Sequence, residues 1–179
     1  MKQPAVALLC LLTMLGACSE ETQQSAIPAP IALTDEAAGH YCQMAILEHP
    51  GPKAQLFVET LLHPLWFSQV RDGLAKIKSA ERSADIIVLY VNDMGAAKSW
   101  EEPGTENWIR VEKAYFVVGS NAMGGMGAPE YVPFSDKAKA MDFITNHGGS
   151  IMRFEDITAE EVLSPIDVAL PVSSPTEKG

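Results

Sequence analysis

Three side chains with metal-binding atoms recur at every second position of the stretch GHYCQM, residues 39–44: the imidazole of His40, the thiol of Cys42 and the thioether of Met44. In an extended segment they share one side, with about 6.5–7 Å between successive Cα atoms of the set. In a turn they converge further. Thiolate with thioether is the donor chemistry that Cu(I) prefers, whereas thioether is a poor ligand for zinc. A second soft cluster occupies SNAMGGMGAP, residues 120–129, where Met123 and Met126 sit in a glycine-rich loop. That loop has neither helical nor strand periodicity to bury them, and glycine lets the backbone bring a sulfur close to a site. The competing readings are structural: a core cysteine, a hydrogen-bonded surface histidine, and methionines that fill gaps in packing.

The other cysteines sharpen the choice. Residues 1–17 hold Lys2 and an apolar run from Ala5 to Leu15. The run is shorter than the about 20 residues needed to span a bilayer and fits the core of an exported signal peptide. It ends in Leu15-Gly16-Ala17-Cys18, the pattern of a bacterial lipobox, which implies cleavage before Cys18 and lipidation of that residue. Acyl chains there, palmitate among them, anchor a chain to a membrane. Ser19 after the cysteine favours the outer over the inner membrane, on the periplasmic side of the envelope. Cys10 leaves with the signal and Cys18 is taken by lipid, so Cys42 becomes the one free thiol of the mature chain. A lone thiol in an oxidising compartment is a liability unless it is buried, bound or used.

The formal charge is −10, with no basic cluster, which argues against nucleic acid as a partner. There is no C-x-x-C pair, phosphate-binding glycine loop, dinucleotide fingerprint, zinc-protease helix motif or serine elbow. The acidic pairs Glu101-Glu102 and Glu160-Glu161 read as solvated turns or helix starts. His63 reads as a helix cap. His147 reads as a favourable charge near a helix C-terminus, and His49 as structural. An enzyme reading would make Cys42 a nucleophile with His40 as base and Asp35 orienting it, but nothing in the sequence supplies an oxyanion hole.

The elements that must position these residues follow from periodicity. Residues 18–34 read as a proline-bearing tether and 170–179 as a flexible tail. Between them, Ala54–Val58 alternates as a strand, His63–Ser79 reads as a helix with Trp66, Val70, Leu74 and Ile77 on one face, and Asp85–Asn92 reads as a buried strand. Trp108–Val118 supplies one or two strands and Glu130–Phe134 is extended. Ser135 caps a helix carrying Ala140, Phe143, Ile144 and His147, Gly148-Gly149 ends it, and Ser150–Phe154 is the next strand. The fold class is α+β, with a common strand–helix–strand order in residues 35–95 and 96–169.

The lipobox, GHYCQMAILEHPGPKAQL at 39–56, AYFVVGSNAMGGMGAPEYVPF at 114–134 and NHGGSIMRFEDI at 146–157 together resemble the NosL family, the lipoproteins encoded with bacterial nitrous-oxide reductase. The resemblance spans nearly the whole mature chain. It implies two similar, packed ββαβ units and a Cu(I)-binding metallochaperone, not an enzyme, that serves denitrification. One Cu(I) per chain would go to assembly of the reductase's copper centres, the sulfide-bridged catalytic cluster above all. It further implies the ABC-type NosDFY complex and the reductase NosZ as partners. The metal ligands it implies are Cys42, Met44 and Met126, with His40 as a further ligand and Met123 as a weaker alternative able to receive copper during transfer. The family commonly has glycine between the metal-site Cys and Met, where this chain has Gln43.

Overall fold

The computed structural model describes residues 27–80 and 85–166. The signal peptide, the lipidation residue Cys18, the first part of the tether and the 170–179 tail lie outside the described residues.

Two antiparallel sheets carry the chain. In the first, β1 (Ala54–Val58) pairs with β2 (Leu65–Phe67), α1 (Val70–Lys78) follows, and β3 (Ile86–Asn92) returns on the other side of β1. A fourth strand, β4 (Trp108–Arg110), pairs with β3, giving the order β2-β1-β3-β4. In the second sheet β5 (Tyr115–Val118) pairs with β6 (Val132–Phe134), α2 (Lys137–His147) follows, and β7 (Ser150–Arg153) returns to β5, giving β6-β5-β7. The order strand, strand, helix, strand therefore occurs twice with the same pairing. A short helix, α3 (Ala159–Leu163), closes the described chain. It opens with Thr158 and Glu161 in a reciprocal capping box, so the Glu160-Glu161 pair is a helix start.

The division at residues 95/96 does not separate the two sheets. Strand β4 comes from beyond it yet completes the first sheet, and one apolar core runs through both. Leu56, Val70, Leu74 and Leu89 from the first half pack with Phe116, Tyr131, Ile157 and Val162 from the second. Helix α1 lies close on β1 because Gly73 faces it: a Cβ at Gly73 would stand 3.0 Å from the Ala54 Cβ. The opposite face of β5 places Val117 in a second cluster with Val132, Phe134 and Ala140 under α2.

Several local expectations are corrected. The helix expected from His63 begins at Val70, and Leu65–Phe67 instead forms β2, with Trp66 opposite Gln55. Strand pairing across the β1–β2 hairpin, a non-local interaction, overrides the helical spacing of Trp66 and Val70. His63 lies outside any helix and is exposed, so it caps nothing. The N-cap of α2 is Asp136, whose side chain accepts from the Ala138 N–H, while the Ser135 hydroxyl donates to the Asp93 carboxylate. The C-cap is Gly148 at φ 71°, a conformation that glycine adopts without strain. Residues 28–33, within the stretch read as tether, are fastened to the first sheet. Tyr90 donates its hydroxyl to the Pro28 carbonyl, Gln55 bonds both the N–H and the carbonyl of Ile31, and Leu33 is buried.

Because Leu74 is fully buried in the core shared by both sheets, Leu74→Ala is expected to cost about 2–5 kcal/mol. Urea unfolding followed by tryptophan fluorescence should show one shifted transition for both sheets, not two.

Candidate metal site

Residues 39–44 form a tight loop and not a strand. Ala38 and Ala45 make an antiparallel bridge at its base, the Gly39 N–H donates to the Met44 carbonyl (2.9 Å), and the Gln43 N–H donates to the Gly39 carbonyl (2.9 Å). The loop is tacked to the edge of the first sheet by the His40 N–H donating to the Trp66 carbonyl (2.7 Å). Behind it, fully buried Ile46 packs with Leu33 and Ala37 against Trp66 and Trp108.

Within the loop the thiol folds back over the backbone. A Cβ on Gly39 would stand 2.4 Å from the Cys42 sulfur, so only glycine leaves room for the thiol where it lies. Gln43 adopts φ 56°, the left-handed region that favours glycine. Its side-chain amide offsets part of that strain by donating to the carbonyls of Gly39 (3.2 Å) and His40 (2.9 Å). The backbone demand that glycine would meet most simply is therefore met here by a glutamine that staples its own turn. His40 packs on Tyr41 and edge-on to Phe67. Burial, and then the Lys76 charge, hold its pKa below the ordinary 6.5, which favours the neutral imidazole a metal requires.

The second loop is pinched at its base by the Glu130 N–H donating to the Ala122 carbonyl and by a bridge between Met123 and Pro129. At its tip the Gly127 N–H donates to the Gly124 carbonyl, so Gly124–Gly127 is a tight turn carrying Met126. Two glycines let this turn lie against the first unit. A Cβ on Gly125 would stand 2.7 Å from the Ser68 carbonyl, and one on Gly124 would stand 2.6 Å from the Glu130 carboxylate and 2.7 Å from the Gln69 side-chain oxygen. The Met126 N–H donates to Gln69 Oε1 (3.2 Å), and His49 Nδ1 lies 3.0 Å from the Gly125 carbonyl. A carbonyl only accepts, so His49 carries its proton on Nδ1, and its buried Nε2 has no hydrogen-bond partner among the described residues.

Both loops thus touch Ser68, and the second also bonds the neighbouring Gln69. The Cys42 sulfur is 3.7 Å from the Ser68 hydroxyl, and the Met126 turn abuts Ser68 and bonds Gln69. Met44 and Met126 are 43% and 44% exposed, and Cys42 is partly accessible, so none of the three is a core side chain or a packing filler. Met123, at the pinch itself, lines a cavity to which Cys42, Met44 and Met126 do not contribute, and His147 lines it too. No group of three or more His, Cys, Asp and Glu side chains that could hold a metal occurs among the described residues. The donors that accompany Cys42 among the candidate ligands are thioethers and one imidazole, and thiolate with thioether is a soft donor set.

Ser68, Gln69 and Glu130 are absent from the residues singled out by sequence. Gln69 had no signal, since a capping box opens with Ser, Thr, Asp or Asn; its side chain donates to the Asp72 carboxylate (2.9 Å) and not to the helix end. Glu130 had none either. Its carboxylate is fully buried and accepts from the N–H groups of Arg71 and Tyr131 at one oxygen and of Val70 at the other. It replaces a local cap for α1, since Gln69 caps nothing with its side chain.

The family model of NosL matches residues 30–162. The chain belongs to the NosL family. It is 50% identical over 163 residues to the copper-binding lipoprotein NosL of Achromobacter cycloclastes, covering 90% of this chain and 83% of that one. It is 32% identical over 163 residues to the copper-binding lipoprotein NosL of Stutzerimonas stutzeri, covering 86% of this chain and 80% of the relative. Among solved structures, the copper chaperone NosL from Shewanella denitrificans superposes with a TM-score of 0.68 at 34% identity, covering 73% of this chain and 96% of that one. The mixed fold with two antiparallel sheets is thus that of the NosL family, and the relatives are named as binding protein and chaperone, not as enzymes.

Burial pushes the Glu130 carboxyl up from 4.5 to about 7, against the three N–H donors that pull it down. The native chain therefore holds a proton that the unfolded chain has released, and this stability is full below about 4.5 and lost as pH rises through about 7. Burial also raises the Asp72 pKa, which contributes in the same direction. Urea midpoints should fall between about pH 5 and about pH 8, and fall less steeply in Glu130→Gln. An equal slope in the two proteins would contradict the assignment.

Proposed function

We propose that this chain is a Cu(I) metallochaperone of the bacterial envelope, delivering copper for the copper centres of nitrous-oxide reductase and its sulfide-bridged catalytic cluster in particular. The observation that carries this reading is the contact of both soft loops with Ser68. The partly accessible thiol of Cys42 lies against the Ser68 hydroxyl, and the turn bearing Met126 abuts the Ser68 carbonyl and bonds Gln69. One Cu(I) per chain is held by Cys42, Met44 and Met126, with His40 as a further ligand from the same loop. Cys42 supplies the one anionic donor and most of the affinity, and its need to be deprotonated makes binding pH-dependent. The thioethers stay neutral and add soft coordination without a proton. Because the donors are exposed, an acceptor's sulfur or imidazole enters before the first donor leaves, so tight binding and quick release coexist.

The partners in this reading are the NosDFY complex, which couples transfer to ATP hydrolysis, and the reductase NosZ, directly or by relay. The lipid on Cys18 holds the chain at the membrane on the periplasmic side, with Ser19 favouring the outer membrane. No helix of the described residues is long and apolar enough to cross a membrane. The relatives' names as copper-binding lipoproteins support the lipid anchor and the metal.

Anaerobic competition with a chromophoric Cu(I) chelator tests the site. Cys42→Ser should lose tight binding while its circular dichroism is unchanged, and Met126→Leu should weaken binding without abolishing it. A folded Cys42→Ser protein of unchanged affinity would sink the assignment.

A further inference from the structure

A cavity of about 540 Å³, which neither Cys42 nor Met126 lines, is lined by Met94, Trp100, Asn121, Met123, Phe143 and His147 among others. Four segments build it: the turn after β3, the start of the methionine loop, the end of β6 at Phe134, and the last turns of α2. Its walls are aromatic. Phe143 stacks on the His147 ring (4.2 Å, 20°) and on Trp100 (6.4 Å, 24°). Between those walls the donors are two thioethers, Met94 and Met123, and one imidazole.

The imidazole is oriented. His147 Nδ1 lies 3.0 Å from the side-chain oxygen of Asn121, and the Asn121 N–H donates to the His147 carbonyl. An amide oxygen only accepts, so the ring proton sits on Nδ1 and the lone pair on Nε2. A hydrogen bond that fixes the tautomer of a histidine in this way is the usual outer-shell support of a metal-binding imidazole. Met123 and Met126 sit on either side of Gly124-Gly125. The backbone of Met126 is held toward Gln69 and the Cys42 side, while Met123 lines this cavity. One short loop therefore offers a sulfur to each of two places.

We propose that Met94, Met123 and His147 Nε2 form a second, weaker site for a soft monovalent metal, a waiting position for Cu(I) entering or leaving the Cys42 site. This deepens the chaperone reading and rests on it for the identity of the metal. All three donors are neutral, so the site favours a +1 ion between apolar walls over a +2 ion, and it binds less tightly than a site with a thiolate. Passage between the sites is an exchange of sulfur donors with no change in oxidation state.

The test is Ag(I), a diamagnetic stand-in for Cu(I), titrated into Cys42→Ser protein labelled with ¹³C at the methionine methyl groups and ¹⁵N in the histidine rings. The methyl signals of Met94 and Met123 and the His147 Nε2 signal should move together. Asn121→Ala, which frees the imidazole, should weaken that response by about tenfold, and His147→Gln should remove it while backbone amide spectra stay native. Movement confined to Met44 and Met126, or no movement at Met94 and His147, overturns the second site. Neither result touches the Cys42 assignment, which stands or falls on the affinity of Cys42→Ser in chelator competition.

Discussion

Helix α1 begins with backbone N–H groups that face the protein interior, and the carboxylate that receives them lies 60 residues further along the chain. Glu130 satisfies Val70, Arg71 and Tyr131 at once, in a place where an unpaired donor would cost about 1–3 kcal/mol. The same carboxylate lies under Gly124, and its own N–H closes the base of the methionine loop. One buried acid therefore fixes where α1 starts, where Ser68 and Gln69 end up, and how the Met126 turn lies against them. Lys53 performs a parallel task nearby. Its buried ammonium, with a pKa lowered by burial to about 8, holds the carbonyls of Pro50 and Gly51, and the Pro50 carbonyl borders Gly125. Two ionisable groups, each uncomfortable in the core, hold the segments around Ser68 and the Met126 turn.

Those contacts explain which parts of the molecule were legible in the sequence. Strands β1, β3 and β7 announce themselves by local apolar pattern, and α2 by its spacing and its terminal glycines, because each buries one continuous local surface. Strand β2 was hidden, since Trp66 and Val70 have helical spacing and only pairing with Gln55 shows that Trp66 is extended. The fastening of residues 28–33 was hidden for the same reason: Gln55 and Tyr90, which hold them, are unremarkable until the sheet brings them together. At the site, chemical type made Cys42, Met44 and Met126 visible, and their exposure shows that packing does not explain them. The contacts behind Cys42 and the Met126 turn were not visible, because Ser68 and Glu130 carry no spacing signal and act only through the fold.

The loop geometry reconciles softness with precision. A thiol laid over Gly39 is confined without being buried, and the hydrogen bonds of Gln43 hold a turn whose backbone would otherwise favour glycine. The turn at Gly124–Gly127 confines Met126 in the same manner, through its backbone, leaving the side chain free to adjust. Methionine is suited to this, being flexible and polarizable. In the proposed chaperone, a fixed backbone under adjustable sulfur would let donors gather on a metal and part again without disturbing the core.

The central claim is that sulfur from both loops meets on one copper ion. X-ray absorption of the anaerobic Cu(I)-loaded protein, compared between the wild type and Met126→Leu, tests it most directly. The account predicts a sulfur-dominated first shell in the wild type that loses one sulfur neighbour in the variant. A shell dominated by nitrogen or oxygen, or one unchanged by removing Met126, would contradict it.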